Sequence, residues 1–475
     1  MKRIITIITL ALACEMAEAK VSLPALLSDN AVLQQQNEVK LWGKATGKRV
    51  EIKASWSDEV LTAKVAKDGS WECYITTPTA SEGHSISFDD GHSTTISNLL
   101  LGEVWLCSGQ SNMKVPMRGN VSQPIEGSAD VILHAKASRP IRLFTVPERP
   151  SATPLDECDG EWVLYTPENV AAFGATPLFF ADYLQGVLEI PVGIVNCSWG
   201  GSTIEAWLPR HTLEQYKEYD FEAIDREQVT ALPQTQPTLC YNGMMRSMRN
   251  LTFKGMLWYQ GEANRKNHQE YPELFARFAT MLRSHFNCGE FPIYYAQIAP
   301  YGFGPVGKGV AMRVSQSEIM DKVNRTGMVC LSDVGECDCI HPRYKRAAGE
   351  RFAYWALGDT YGYVGVEYRA PEFAEMVDLE ASGKLPKRVA LRFNYAQMGL
   401  SLSSDSLSEN FEVAGADGVY YPAQMNFVSK SDYPIHLWSE QVEQIKAVRY
   451  GYKDYFKGDV FNNFGIPLST FCTER

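Results

Sequence analysis

Past its first residues the sequence has no run long and apolar enough to form a transmembrane helix. It also lacks an excess of basic residues: 45 Lys and Arg stand against 56 Asp and Glu, a formal charge of −11. Without an overall positive field to neutralise phosphates, nucleic acid is excluded as an expected partner. A P-loop, a dinucleotide-binding glycine fingerprint and a His-Glu-x-x-His run are absent too, so nucleotide-dependent and zinc-protease chemistry lose their usual sequence support. No Cys-x-x-Cys pair offers the spacing of a closed zinc site. What is present is 475 residues, 45% hydrophobic and 21% charged, enough apolar material for buried cores. At roughly 100–200 residues per domain, that length predicts two to four domains.

The first nineteen residues read as a signal peptide and not as fold. Lys2 and Arg3 precede a mostly apolar run from Ile4 to Ala13, and Ala17-Glu18-Ala19 supplies a small-x-small cleavage signal. Export is therefore expected, with the protein periplasmic, secreted or surface-anchored. Ala11-Leu12-Ala13-Cys14 weakly resembles a lipoprotein cleavage box, and lipidation of Cys14 would anchor the chain to a membrane. Of eleven cysteines, ten would remain after export, and no short-spaced framework dictates their pairing.

Residues 20–101 alternate in short β-type runs (Val39–Trp42, Arg49–Ala54, Ser70–Thr76, His84–Phe88) around the turn dipeptides Asp68-Gly69 and Asp90-Gly91. Residues 102–361 change character. Buried-type strands at Glu103–Cys107, Val192–Cys197, Gly255–Tyr259, Ile293–Ile298 and Met328–Asp333 alternate with helical patterns such as Pro177–Leu188 and Tyr271–Phe286. That succession predicts an α/β region with a mostly parallel sheet covered on both faces and a site at the carboxyl ends of its strands. The stretch Glu148–Thr166 reads as a surface excursion. Residues 362–475 return to β character at Arg388–Asn394, Gly399–Leu402, Gly418–Gln424 and Gln444–Tyr450, suited to a β-sandwich.

Chemistry gathers at the predicted strand ends. Glu103–Cys107 runs into Ser108-Gly109-Gln110-Ser111-Asn112-Met113, where Gly109 permits a tight turn that can lift Ser111 onto the rim of the sheet. Ser111 then serves as a nucleophile or simply caps a helix. Of eight histidines only His341, in Asp338-Cys339-Ile340-His341-Pro342, closely follows a core strand of the central region. An acid three residues before a histidine can curl back and hold its tautomer. Two other readings stay open: an ordinary surface loop, or a metal held by Cys337, Cys339 and His341. Gly200-Gly201 offers bare backbone amides, and Asn264, in Gln260-Gly261-Glu262-Ala263-Asn264, offers an amide side chain, so that Ser111 N–H, a glycine N–H and Asn264 could form an oxyanion hole.

The ordered segments Gly109–Met113, Trp199–Trp207, Trp258–Asn264 and Asp338–Pro342 resemble the SGNH hydrolase superfamily and, more narrowly, the sialate O-acetylesterase family. Leu33-Gln34-Gln35, Leu41–Ala45, Val448–Tyr452 and Asn462–Leu468 are similar to that family's flanks, so the resemblance covers nearly the whole mature chain. It implies a three-layer α/β/α domain flanked by β-rich regions. By the same resemblance Ser111 is the nucleophile, His341 the base, Asp338 its orienter, and Ser111, Gly201 and Asn264 the oxyanion hole, with Gln110, Gln260 and Glu262 as site neighbours. It implies a secreted serine esterase that removes O-acetyl groups from sialic acids, needing no metal or other cofactor. Acetylated xylan or another polysaccharide is an alternative substrate, and a sugar-binding protein with an inactive site is an alternative of another class. The sequence departs from the family at Ser202, where Thr is usual, and in the cysteines on both sides of Asp338. Glu262 or a backbone carbonyl competes with Asp338 for the orienting role.

Overall fold

In the computed structural model, residues 21–228, 230–286, 288–304, 307–403 and 408–474 are described; the predicted signal segment with Cys14 lies outside them. The centre of the molecule is a sheet whose strands follow the order Thr326–Val329, Ile293–Ala296, Gly255–Tyr259, Ser93–Gly109, Val192–Ser198, Ile141–Thr145, Trp162–Leu164. All neighbours pair in parallel except the last, which is antiparallel.

Burial explains why the inner strands read as unbroken apolar runs. Val192–Ser198, Gly255–Tyr259 and Ile293–Ala296 are buried at every position, because helices cover both faces of the sheet. Successive side chains alternate between two cores. Val104, Leu106, Met256, Trp258 and Tyr295 join the core that contains Leu274, Phe275 and Phe278 of the Tyr271–Phe286 helix. Trp105, Cys107, Leu257, Tyr259 and Tyr294 join the other, against the Ala175–Leu188 and Lys345–Trp355 helices.

Ser93–Gly109 is one strand of 17 residues, fully buried from Leu99 onward. Its first half pairs with Ser81–Asp89 in the N-terminal β region, and its second half is central to the parallel sheet. The break expected between residues 101 and 102 thus falls inside a single strand. In the C-terminal region two four-stranded antiparallel sheets share a core of Val389, Leu391 and Ile435 with Phe411, Val413 and Val448, a β-sandwich. Fully buried Arg313, on the Gly309–Ser317 helix, fastens this region to the centre. It donates to Thr470 Oγ1 at 3.1 Å, to the Asp454 carbonyl at 3.1 Å, and to the Gly451 and Lys453 carbonyls.

Two expectations change. Within Glu148–Thr166, the supposed surface excursion, Trp162–Leu164 is an edge strand; Trp162 packs on Phe144 and donates its indole N–H to the Leu26 carbonyl at 3.0 Å. Three residues are too few to show a period. The last parallel strand is Thr326–Val329 and not Met328–Asp333, since the chain leaves the ladder after Val329. All ten described cysteines are free thiols.

Tight packing beneath the site gives a stability prediction. A Cβ on Gly255 would lie 2.4 Å from the ring of Trp105, itself wedged between Phe180 and Tyr294. Gly255→Ala should lower unfolding free energy by about 1–3 kcal/mol in urea titration; an unchanged midpoint would mean that the Trp105 layer can yield.

Candidate active site

The Ser93–Gly109 strand ends at a glycine for steric reasons. Gly109 has φ +130°, and a Cβ there would lie 2.2 Å from the Tyr259 carbonyl oxygen, which instead accepts the N–H of Gln110 at 2.9 Å. The chain then enters a single helical turn, Ser111–Lys114. Ser111 is half-buried, and neither its Oγ nor its N–H has a hydrogen-bond partner among the described residues. It is the first helical residue, with Gln110 at the cap position, so the hydroxyl does not cap the helix.

After the Val192–Ser198 strand, Trp199 N–H binds the Gly109 carbonyl at 3.1 Å and brings the paired glycines alongside. Gly200 faces Ser111: a Cβ built on it would sit 3.6 Å from Ser111 Cβ and meet no other atom within 4 Å. Gly201, at φ +73°, is exposed. Ser202, the departure from the family pattern, is fully buried and uses its hydroxyl structurally, donating to the Gly109 carbonyl and accepting from Trp207 Nε1.

Asn264 is buried, and its amide is oriented from both ends. Oδ1 accepts from Ile204 N–H at 3.0 Å and Gln260 Nε2 at 2.7 Å, while Nδ2 donates one hydrogen to Glu205 Oε2 at 2.9 Å and retains another. Gln260 is in turn held by Tyr271 OH on its Oε1 and by the Ser202 carbonyl on its Nε2. Gln110 Oε1 faces the N–H groups of Gly261 and Ala263 at 3.4 Å each. Both glutamines therefore brace the loop that carries Asn264.

The histidine loop is tied to the turn bearing Ser111 through Asn112. Its Nδ2 donates to Glu262 Oε1 at 2.7 Å and to the Ile340 carbonyl at 3.2 Å; its Oδ1 accepts from Lys345 Nζ, which also donates to the Pro342 carbonyl, both at 2.7 Å. The residue after Ser111 thus holds both neighbours of His341, one directly and one through Lys345. Ser111 Oγ and His341 themselves share no hydrogen bond, as is common before substrate binds. Burial raises the Glu262 carboxyl above its ordinary range, and it lowers Lys345 to about 7. His341, half-buried, is lowered from its ordinary value by desolvation and then by the Lys345 charge.

Asp338 is the expected residue that the structure does not bring in. An isolated bridge between Glu336 and Cys339 closes a tight turn with Cys337 and Asp338 at its tip, and both are exposed. Asp338 lines a cavity of about 840 Å³ with Glu126, Tyr344 and Tyr455, and it makes no hydrogen bond or ion pair with His341. Nor does Glu262 take its place, being committed to Asn112. The partner of His341 Nδ1 is Gln123 Oε1, at 3.0 Å. Cys339 donates its thiol to the His341 carbonyl, and among the described residues no cluster of metal-ligating side chains forms. Sequence reasoning also missed Asn112, Lys345 and Glu205 as supports of the site.

A serine with a free hydroxyl at the carboxyl edge of a parallel sheet, beside bare glycine amides and a histidine loop, has the layout of a carboxylic ester hydrolase on an α/β/α fold. Residues 101–353, more than half of the chain, match the family model described as "Carbohydrate esterase, sialic acid-specific acetylesterase", and the chain belongs to that family. It is 27% identical to the mouse sialate O-acetylesterase over 343 residues, 61% of this chain and 62% of the mouse protein, so the match spans under two thirds of that relative's length. The rat sialate O-acetylesterase is 26% identical over 415 residues, 75% of this chain and 73% of the rat protein. The crystal structure of a carbohydrate acetylesterase from Xanthomonas citri superposes with a TM-score of 0.84 at 28% identity, covering 96% of this chain and all of that one.

Asn112→Ala should leave the buried Glu262 carboxyl and the Lys345 amine each short of a partner, lowering stability by about 1–3 kcal/mol in urea titration. The folded Lys345 pKa lies below the unfolded one, so between about pH 7 and 10.5 the unfolded chain binds a proton that the folded chain lacks. Stability should therefore rise with pH across that window, and Lys345→Met should flatten the slope. An equally steep slope in the variant would assign it to another group.

Proposed function

We propose that this chain is an exported esterase that hydrolyses O-acetyl groups on sugars, with O-acetylated sialic acids as substrate, by a serine acyl-enzyme mechanism. The observation that carries the mechanism is the Asn112 link between the turn bearing Ser111 and the loop bearing His341. The substrate class rests on the family description and on the names of the mouse and rat relatives. Export rests on the basic, apolar and small-residue succession of residues 1–19. A second reading, acetyl removal from xylan or another acetylated polysaccharide, draws on the near-complete superposition with the Xanthomonas protein, which is described as a carbohydrate acetylesterase without mention of sialic acid.

In this mechanism the Ser111 hydroxyl attacks the acetyl carbonyl while His341 Nε2 takes its proton. The developing oxyanion is met by the N–H of Ser111, an amide of the Gly200-Gly201 pair and the second Nδ2 hydrogen of Asn264. The sugar alcohol leaves with the proton from the imidazolium, and water repeats the sequence to release acetate. Glu205 and Gln260 act before any substrate arrives, fixing the amide so that the donor need not reorient during reaction.

Ser111→Ala should fold and lose at least about a thousandfold in kcat for an aryl acetate, and an organophosphonate should label Ser111 in the parent. Near-parental turnover in the folded variant would end the acyl-enzyme reading. A panel of acetylated sialic acid, xylan oligomers and simple hexoses should show the highest kcat/KM on the first; preference for xylan would select the second reading.

A further inference from the structure

We propose that Gln123, an uncharged side chain, is the residue that positions the general base: its side-chain carbonyl accepts the Nδ1–H of His341 and leaves Nε2 as the proton acceptor. The inference rests on the reading of Ser111 as nucleophile and His341 as its base, and it replaces the acid expected from the sequence.

The geometry is specific in three respects. Gln123 Oε1 lies 3.0 Å from His341 Nδ1, whereas Nε2 has no hydrogen-bond partner among the described residues. The same Oε1 also accepts from Asn120 Nδ2 at 3.3 Å, so both contacts of this side chain are made through its amide oxygen. The segment carrying Gln123 is itself anchored. Asn120 and Gln123 exchange both backbone hydrogen bonds, at 3.1 and 3.0 Å, and Met117 and Arg118 N–H bind the carbonyls of Phe173 and Ala171. On the far side Glu126 N–H binds the Arg343 carbonyl at 3.1 Å, fastening this loop to the histidine loop just past His341.

The charged groups around the imidazole are few. Lys345, the first residue of the helix that follows the histidine loop, is buried and bonded to Asn112; Glu262 lies across Asn112 from it; Glu126, the Glu336–Arg343 ion pair and Asp338 face the 840 Å³ cavity. None of the carboxylates bonds to either ring nitrogen. A carbonyl dipole can fix the tautomer as a carboxylate does, but it adds no full negative charge to stabilise the imidazolium. The base should therefore titrate below the ordinary histidine value, in line with the lowering that burial and Lys345 produce. Such an enzyme retains a neutral, working base in mildly acidic surroundings.

The test is a pH–rate series with an aryl acetate on the full chain, comparing parent, Gln123→Glu, Gln123→Met, Asp338→Asn and Ser111→Ala, each checked for folding by circular dichroism. Gln123→Glu sets a carboxylate against Nδ1, so the acid limb of kcat/KM should move up by about one pH unit or more. A role limited to packing would not move it. Gln123→Met should lower kcat by about tenfold to a hundredfold, and Asp338→Asn should change it by less than about threefold with the limb in place. The inference is overturned if Asp338→Asn loses a hundredfold, if the Gln123→Glu limb does not move, or if Gln123→Met matches the parent. Full activity in Ser111→Ala would instead overturn the nucleophile assignment beneath it, so the two failures are distinguishable.

Discussion

The site depends on how one buried asparagine is satisfied. Asn112 has two amide hydrogens and one carbonyl oxygen to place away from water, and they go to Glu262, the Ile340 carbonyl and Lys345. Each partner belongs to a different segment: the loop after the Gly255–Tyr259 strand, the histidine loop, and the helix that follows it. A buried polar group left unpaired is expensive, so the three segments have little freedom to part. Glu262 and Lys345 are nominally of opposite charge, yet neither touches the other. Asn112 stands between them, and burial drives both toward neutrality. The arrangement works as a rigid polar junction more than as an ion pair.

A second line of support comes from farther away. Gln316, fully buried, donates to the Gln260 carbonyl at 3.1 Å and accepts the N–H of Ile298 at 2.8 Å. It lies on the same helix as Arg313, whose guanidinium is spent on carbonyls of the C-terminal region. From the sandwich to Arg313, along the helix to Gln316, and on to Gln260 and Asn264, hydrogen bonds and one rigid element form a continuous path. The C-terminal sheets thereby help to hold the Asn264 amide, the donor proposed for the oxyanion, without reaching Ser111 or His341.

Much of this was legible in the sequence, for reasons particular to each element. Gly255–Tyr259, Tyr271–Phe286, Arg49–Ala54 and Arg388–Asn394 fall where the sequence placed them because long apolar runs, a helical period or strict alternation with turn signals marked them. Ser111, His341 and Asn264 stood out because each follows a buried strand in a parallel sheet, where sites form. Gln123 gave no signal: it lies in a polar loop, Asn120-Val121-Ser122-Gln123-Pro124, and meets His341 across 218 positions of chain. For Asp338, spacing alone shows that an acid can reach a histidine, while the Glu336–Cys339 bridge, which no local pattern announces, turns it outward in the structure. The Asn112 junction was invisible because its partners are separated from it by 150 and 233 positions.

The long Ser93–Gly109 strand has a consequence for how such a molecule could have been assembled or could be taken apart. Its first half is a rung of the N-terminal β region, and its last residue sets the turn that presents Ser111. A cut between the two would sever the strand that leads into Ser111, and the central parallel sheet would lose its middle. The N-terminal region is therefore not detachable cargo like a tethered binding module. It is one end of the beam on which the reaction site is mounted, so exchange of that region between relatives has to carry the beam with it or graft at a loop beyond Ser111.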